Sequence, residues 1–427
     1  MKSILGSCSY PLTDQVVITG LGAVCSLGNS VREISLGLSS GKSGISEITD
    51  FDASGLGWRA AQVKNSPAIK TDIHPHLAKT MGKHLSLLVI STEQAIGDAG
   101  IGPAKFDPED IAFFAGMWTV DYHLEDLLPA VVKSLGQSGD LDYDRFFSAG
   151  YREIYPLWPL GMLNNVAFCQ AAIHFGLRGE NAVFTAHGDA GIKAVAEAVK
   201  VLGEGKAKVA LAGGVSEEIS PSSLARARLK GLLGPPEGLS GDPMAQGSAT
   251  GVFLGECGAM LVLEPLVDAI ARGANVLARV IGFGFSCRRD VKSGFASSQA
   301  ICSAMEGALF QAGLGPEQID VIMLGGCSRA EAEAVGETFG SGTKAPMAVS
   351  TAKAIGETFA AGPILNTAIG LKISDWAGLP RSICICLSRG GGSPMTRSKS
   401  ARLLVNGISY EGMCSSMIIE KTAGEAL

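Results

Sequence analysis

The chain has 427 residues and a formal net charge of −6 at pH 7. No stripe of lysine and arginine runs along it, which argues against a nucleic-acid partner. Charged residues make up only 18% of the chain and apolar residues 46%. Since about 25% charged residues is typical of globular proteins, we expect much of the surface to be buried in a large core or against a partner subunit.

Strand signals begin near the N-terminus. The apolar, β-branched run VVIT at 16–19 predicts a buried strand, and the run GLGAVCSLG at 20–28 is expected to follow it as a loop. The third glycine of a dinucleotide fingerprint would fall at Cys25 in this run, and no helix is predicted to open there, so we reject a dinucleotide site. Further strands are predicted at Ile111–Ala115, Ala182–Ala186, Val209–Ala212, Met260–Leu263, Val276–Gly282, Val321–Leu324, Met347–Ser350, Ile383–Leu387, Leu403–Asn406 and Ser416–Glu420.

Helical patterns lie between these strands, over 188–204, 296–313 and 359–374. In the first of them Ile192, Val195 and Val199 recur at helical spacing, which indicates a buried face. Strands that alternate with helices predict βαβ units and sheets covered on both faces. The order of elements in the first 265 residues is echoed in the rest, so we predict two related halves, residues 1–265 and 266–427.

Export and membrane insertion are not expected. The apolar run before Cys8 is shorter than the roughly 7–15 residues that a signal peptide needs. The longest stretch without Asp, Glu, Lys or Arg, residues 154–177, contains two prolines. It is therefore predicted as a buried helix with a loop and not as a membrane span. We predict a cytoplasmic protein that contacts no membrane.

The ten cysteines are irregularly spaced and form no Cys-x-x-Cys pair. Cys384 and Cys386 share one face of a predicted strand, but two ligands are too few for a metal site. Reduced core thiols are the expected state in a cytoplasmic protein. We predict no metal and no cofactor.

Five segments together resemble the β-ketoacyl-acyl-carrier-protein synthases. They are VVITGLGAVCSLG at 16–28, FGLRGENAVFTA at 175–186, VALAGGVSE at 209–217, GECGAMLVLEPL at 255–266 and ARGANVLARVIGFGFS at 271–286. The resemblance implies an α/β, thiolase-like fold with two βαβαβαββ halves in a five-layer αβαβα sandwich. It also implies a dimer formed through the strand before the nucleophile.

The catalytic positions that this resemblance marks carry other residues here. His187 stands where the family has its nucleophilic cysteine, at the start of a helix. Gly325 takes the position of the first catalytic histidine, and Glu357 that of the second. Tyr410 stands at the phenylalanine of the gating loop. The sequence has six histidines and none after His187. Because catalytic residues that act as a unit are missing together, we expect no condensation activity and no catalytic residues.

A retained but inactive synthase resembles the chain length factor of type II polyketide synthases, the ketosynthase β subunit. That resemblance implies a heterodimer with an active ketosynthase α subunit, contact with an acyl carrier protein through the complex, and a tunnel for the growing poly-β-ketoacyl chain. It places the tunnel gate on the helix after the strand Ile111–Ala115, at Tyr122, Leu124, Glu125 and Leu128. The alternative for that segment is an amphipathic helix with Leu124, Leu127 and Leu128 in the core.

Two other functions stay open for the inactive chain. One is a malonyl-carrier-protein decarboxylase that primes chains, although His187 without partner histidines fits that role poorly. The other is a scaffold that stabilises the active subunit without shaping the product. The sequence leaves the chain length, the starter unit and the product open.

Overall fold

The computed structural model describes residues 16–53, 59–64, 82–102, 105–117, 124–185, 188–216, 219–233, 252–291, 295–326, 328–340, 345–373, 376, 378–380, 384–385 and 401–422. The strands in these ranges are β1 (Val16–Cys25), β2 (Ser46–Glu47), β3 (Arg59–Ala60), β4 (Ile111–Met117), β5 (Asn181–Thr185), β6 (Val209–Val215), β7 (Cys257–Pro265), β8 (Ala278–Cys287), β9 (Val321–Met323), β10 (Met347–Val349), β11 (Cys384–Ile385), β12 (Arg402–Ile408) and β13 (Met413–Lys421).

The α-helices in the same ranges are α1 (Val31–Ser39), α2 (Lys83–Ala99), α3 (Leu128–Lys133), α4 (Tyr143–Ser148), α5 (Asn164–Phe175), α6 (Ala190–Gly203), α7 (Pro221–Leu229), α8 (Leu266–Ala271), α9 (Ser298–Ala312), α10 (Arg329–Phe339), α11 (Ala352–Ile355) and α12 (Gly362–Lys372). Short 3₁₀ helices lie at Pro108–Asp110, Leu124–Asp126, Gly150–Glu153, Trp158–Met162, Pro316–Gln318 and Phe359–Ala361.

Eleven of the described strands form one sheet in which two sets repeat the same order. The first set runs β1-β7-β6-β4-β5 and the second β8-β13-β12-β9-β10, with β11 added at its edge. In each set the first two pairings are antiparallel and the next two parallel. The sets meet where β1 pairs with β8 through Val17–Arg279 and Ile18–Ala278. Strand order and direction therefore agree with the echo between the halves that the sequence indicates.

Three layers of helices cover the two strand sets. Helices α2 and α5 pack outside the first set, and α9 and α10 pack outside the second. Helices α6 and α12 lie between the sets in the largest apolar core. Every residue of α12 from Pro363 to Leu371 is buried, as expected for a helix with sheets on both sides. The predicted buried helix within 154–177 is α5, but only Ala167, Phe168 and Ala171 of it are buried.

The run after VVIT is a correction to the sequence prediction. Residues 20–25 continue β1 as a fully buried strand and do not form a loop. The glycines permit this because α2 lies directly against them: a Cβ at Gly20 would overlap the Ala95 carbonyl oxygen, and one at Gly22 the Ser91 carbonyl oxygen. Glycine here provides close packing between helix and strand, and no turn.

Within the described ranges, no helix has both the length and the apolar composition needed to cross a membrane.

Candidate degenerate active site

The first predicted site position, His187, falls between β5 and α6 in the sequence. His187 lies outside the described residues, and the chain is described again from Gly188. A Cβ at Gly188 would overlap the carbonyl oxygen of Ile408, the last residue of β12. The turn before α6 is therefore pressed directly against the second strand set.

Asp189 is a buried residue of this turn that the sequence analysis missed. It is 1% exposed. Its Oδ2 accepts a hydrogen bond from Ser415 Oγ at 3.0 Å and lies 2.9 Å from Lys193 Nζ, one turn along α6. The Asp-x-x-x-Lys spacing could have predicted this pair, because residues four apart are neighbours on a helix. Asp189 joins the start of α6 to β13 and so fixes the helix entry relative to the second strand set.

Gly325 and Gly326 follow β9 and are held by a buried carboxylate on α10. Glu331 is 0% exposed, and its oxygens accept from Gly325 N at 2.8 Å and Gly326 N at 3.1 Å. Asn406 Nδ2 on β12 donates to the same carboxylate at 3.0 Å. Burial raises the pKa of Glu331 to about 7 despite these donors, and the charge of Glu357 adds to the rise. Glu331 was not predicted as a site residue, because glutamates in the run Ala-Glu-Ala-Glu-Ala are typical of a solvated helix face.

A histidine at position 325 would not fit the observed backbone. A Cβ built on Gly325 would lie 2.8 Å from the Asn406 carbonyl oxygen and 3.2 Å from Ile408 Cγ1. Real side chains require more room than this, so the loop has closed onto β12. The third residue of that loop, Cys327, lies outside the described residues.

Glu357 occupies a closed environment after α11. It is 6% exposed. Its Oε1 accepts from the Phe359 amide at 3.1 Å, and its Oε2 accepts from the Tyr410 hydroxyl, also at 3.1 Å. Burial raises the pKa of Glu357 to about 7, and the hydrogen bonds from Phe359, Tyr410 and Thr358 lower it only in part. The structure thus brings together two residues that the sequence marked separately, Glu357 and Tyr410.

The Tyr410 ring closes this corner of the site with two aromatic neighbours. It makes edge contacts with Phe295 at 5.5 Å and Phe359 at 6.0 Å between ring centroids. Phe359 has a φ of +45°, a conformation that costs roughly 1–3 kcal/mol for a side chain of this size and persists only when the surroundings fix it. The hydrogen bond from its backbone amide to the Glu357 carboxyl and its ring contact with Tyr410 are two such constraints.

Tyr410 lies at the tip of the tight β12–β13 turn. Ser409 N donates to Met413 O at 2.8 Å, and Gly412 N donates back to Ser409 O at 3.1 Å. The next tip residue, Glu411, forms an ion pair with Lys230 at 2.8 Å. The segment between β12 and β13 is therefore a short turn. Its two tip residues are both held by contacts with other elements, Tyr410 by Glu357 and Glu411 by Lys230.

The described thiols near this region do not have the properties of a nucleophile. Burial raises the pKa of Cys302 and raises that of Cys414 to about 12, whereas a reactive thiol needs a depressed pKa. The two buried carboxyls, Glu331 and Glu357, are occupied with backbone and phenol donors. Among the described residues of this region, the arrangement holds loops in place and contains no thiol with a lowered pKa.

The segment predicted to carry the tunnel gate differs in form from the prediction. Tyr122 lies outside the described residues, and Leu124–Asp126 form a 3₁₀ turn, with α3 starting at Leu128. Glu125 and Leu128 are thus in separate elements and not on one α-helical face. Leu128 is 52% exposed, which also contradicts the alternative that places it in the core. The role of Tyr122, Leu124, Glu125 and Leu128 as a gate stays a prediction.

Two protein-family models match the chain. One, described as Beta-ketoacyl synthase, N-terminal domain, matches residues 13–269, and the other, Beta-ketoacyl synthase, C-terminal domain, matches residues 277–373. The chain is 29% identical over 342 residues to 3-oxoacyl-[acyl-carrier-protein] synthase 2 of Coxiella burnetii, covering 76% of this chain and 77% of that protein.

Two further similarities bear on the fold and on the kind of relative. A ketoacyl synthase beta subunit of the tetracenomycin polyketide synthase of Streptomyces glaucescens is 29% identical over 349 residues, covering 77% of this chain and 78% of that protein. The solved ishigamide ketosynthase/chain length factor matches with a TM-score of 0.76 at 22% identity, covering 96% of this chain and 100% of that one. The thiolase-like fold predicted from the sequence is confirmed.

Proposed function

Since the chain belongs to the β-ketoacyl synthase family, we propose that it is a non-catalytic chain length factor of a type II polyketide synthase. It pairs with an active ketosynthase, which supplies the cysteine and histidines. An acyl carrier protein delivers extender units to that complex. The factor's own side chains bound the tunnel that receives the poly-β-ketoacyl chain and so limit its length.

This proposal rests on the residue that occupies the position of the second catalytic histidine. The sequence contains no histidine beyond His187. At position 357 a buried carboxylate is bonded to the Phe359 amide and the Tyr410 hydroxyl. Decarboxylative condensation needs donors aimed at a thioester carbonyl, and both oxygens of Glu357 are directed at donors of this chain instead. The family fold is kept while no histidine follows His187, which supports a role based on shape.

The surface around β5 supports a partner subunit. β5 is the end strand of the first set, so no described strand pairs with its outer side. Of the twenty large apolar side chains exposed in the described ranges, thirteen lie between Leu128 and Ile173. Helix α5 joins that region to β5. Patches of this kind on a soluble protein mark an interaction surface.

Co-expression with a ketosynthase from the same gene cluster tests the pairing. We expect a 1:1 complex that makes a polyketide of defined length, and an unstable or insoluble chain when it is expressed alone. A well-behaved homodimer from solo expression, with condensation activity of its own, would contradict the proposal. The proposed place of action is the cytoplasm.

Product length tests the geometric role. In the complex, Tyr122→Ala or Leu128→Ala is expected to change the chain length, with Leu36→Ala as the control because Leu36 is similarly exposed, at 60%, on α1. Unchanged length in both test variants would favour the scaffold. Loss of carboxylate from malonyl-carrier protein that disappears in His187→Ala would favour the decarboxylase.

A further inference from the structure

Two cysteines lie directly opposite each other on neighbouring strands. In the antiparallel pairing of β1 with β7, Cys25 faces Cys257. Both belong to the same apolar core and are 2% and 0% exposed. Directly opposite residues of a sheet point to the same face, so the two thiols lie side by side. Both are free in this structure.

The backbone hydrogen bonds show which kind of pair this is. Cys25 N donates to Gly28 O at 3.0 Å, and Gly28 N donates back to Cys25 O at 3.1 Å. Cys257 N donates to Ser216 Oγ at 2.7 Å, and its carbonyl accepts from Ser216 N at 2.9 Å. Neither cysteine amide donates to the other cysteine, so this is a non-hydrogen-bonded pair. Such pairs have Cα atoms about 4.5 Å apart, at the short end of the range that a disulfide spans.

We propose that Cys25 and Cys257 close reversibly into a cross-strand disulfide, so that the stability of this chain depends on the oxidation state of its surroundings. The bond would join the end of β1 to the start of β7 across 232 positions of sequence. Closing so long a loop constrains the unfolded chain strongly. A Cα separation of about 4.5 Å is below the most common disulfide value of about 5.5–6 Å, so we expect this bridge to be reduced more readily than one at the common value.

The pair lies close to the degenerate site. Segment 253–255, just before Cys257, pairs with Glu357: Glu357 N donates to Phe253 O at 2.7 Å, and Gly255 N donates to Glu357 O at 2.9 Å. A disulfide at Cys257 would therefore constrain the start of β7, which directly follows this contact in the chain. Oxidation is expected to order the first strand set and the segment beside Glu357 together.

The chemistry balances with hydrogen peroxide as the oxidant. The thiolate of one cysteine attacks a peroxide oxygen and breaks the O–O bond, which gives a sulfenic acid and hydroxide. The second thiolate then attacks the sulfenic sulfur, forming the S–S bond and releasing a second hydroxide. The two thiol protons turn both hydroxides into water.

Burial makes the reaction slow in the closed structure. It raises the pKa of Cys25 to about 12 and that of Cys257 well above its ordinary value, which keeps both groups as thiols. The pair is the last one in the ladder between β1 and β7, and Ser26 beyond it is half-buried. Opening of this terminal pair is therefore the expected route to oxidation.

A second pair of neighbouring cysteines provides an internal control. On β8 and β13, Cys287 faces Met413, and Cys414 faces Ser286. The two cysteines are therefore offset by one position, and their side chains lie on opposite faces of the sheet. Cys287 is exposed and Cys414 is buried. No disulfide is expected between them.

The test uses the full chain, in complex with its partner if it is purified that way, treated with hydrogen peroxide after reduction. The protein is then denatured in an alkylating reagent and digested without reduction for mass spectrometry. We expect a cross-linked peptide pair containing Cys25 and Cys257, absent after dithiothreitol, and no pair containing Cys287 and Cys414. The thermal midpoint should rise on oxidation by several degrees and return on reduction.

The result that overturns the proposal is the recovery of Cys25 and Cys257 as alkylated thiols after the exposed Cys169 is fully oxidised. Cross-links from Cys25 to other cysteines would overturn it as well. Cys25→Ala and Cys257→Ala should each abolish the oxidative rise in the thermal midpoint. The peptide measurement on the unmodified chain decides the matter even where a variant fails to fold.

Discussion

Two buried glutamates hold the loops of the candidate site. Glu331 and Glu357 are both enclosed, and burial raises the pKa of each to about 7. Each carboxyl accepts hydrogen bonds that hold a loop: Glu331 those of Gly325 and Gly326, and Glu357 that of Phe359. These residues therefore have a structural role, and their protonation affects folding stability.

Stability is expected to fall as the pH rises through the acid range. In the folded chain these carboxyls have a pKa of about 7, against an ordinary value of 4.5. Between these pH values the folded state binds more protons than the unfolded state, so the free energy of unfolding decreases as pH rises from about 4.5 to about 7. Each carboxyl contributes up to about 3 kcal/mol to this decrease.

Glu357→Gln should flatten this profile and raise stability at pH 8 relative to its value at pH 5, as measured by denaturant unfolding. Glu333→Gln, at an exposed position of α10, is the control and should leave the slope unchanged. A parallel profile for Glu357→Gln and the unmodified chain would show that Glu357 does not titrate on folding.

Tyr410→Phe separates the hydroxyl from the ring. The ring contacts with Phe295 and Phe359 are kept, and the hydrogen bond to Glu357 Oε2 is lost. That bond favours the ionised carboxyl, so its removal should move the upper end of the pH transition further upward. The expected loss of stability at pH 8 is about 1 kcal/mol. A downward movement of the transition would contradict the assignment.

Two elements are in close contact where α6 begins. Gly188 has no room for a Cβ against the Ile408 carbonyl, so Gly188→Ala must separate the α6 turn from the end of β12. We expect destabilisation by about 2–4 kcal/mol, as for an overpacked buried site. Gly203→Ala is the matched control, because nothing lies within 4 Å of a Cβ at the other end of α6. It should be neutral or stabilising by up to about 1 kcal/mol.

The sequence predicted best those elements whose conformation depends least on the elements packed against them. Period and β-branching placed β4, β6 and β12 to within a few residues, and helical spacing placed α6. The continuation of β1 through Gly20 and Gly22 was wrong as a loop, because only the packing of α2 shows why glycine is there. The 3₁₀ turn at Leu124–Asp126 was not foreseen, because local spacing does not distinguish it from a longer helix.

The contacts within the candidate site could not be predicted from the sequence. Gly325, Glu357 and Tyr410 were marked by sequence position alone. The bond between Tyr410 and Glu357 joins residues 53 positions apart, and the bond from Asn406 to Glu331 joins residues 75 apart. Such contacts depend on how β12 lies beside β9, and no local pattern encodes that arrangement.

At the scale of the whole molecule, the exposed apolar region between Leu128 and Ile173 should control association. Phe147 on α4 is 69% exposed. Phe147→Asp is expected to weaken the proposed complex with a ketosynthase at least tenfold, because it places a charge in an apolar contact. Phe310→Asp, at an 84% exposed phenylalanine on α9 at the far side, should leave affinity unchanged. Equal affinity for both variants, measured by titration, would place the interface elsewhere.

At one end of the sheet β5 presents five residues of strand that no other described strand pairs with. Such an edge can be used once. If it pairs with its counterpart on a related fold, a two-fold contact forms and the edge is covered on both molecules. Association through β5 would therefore stop at two chains, because the pairing that joins them consumes the surface that formed it.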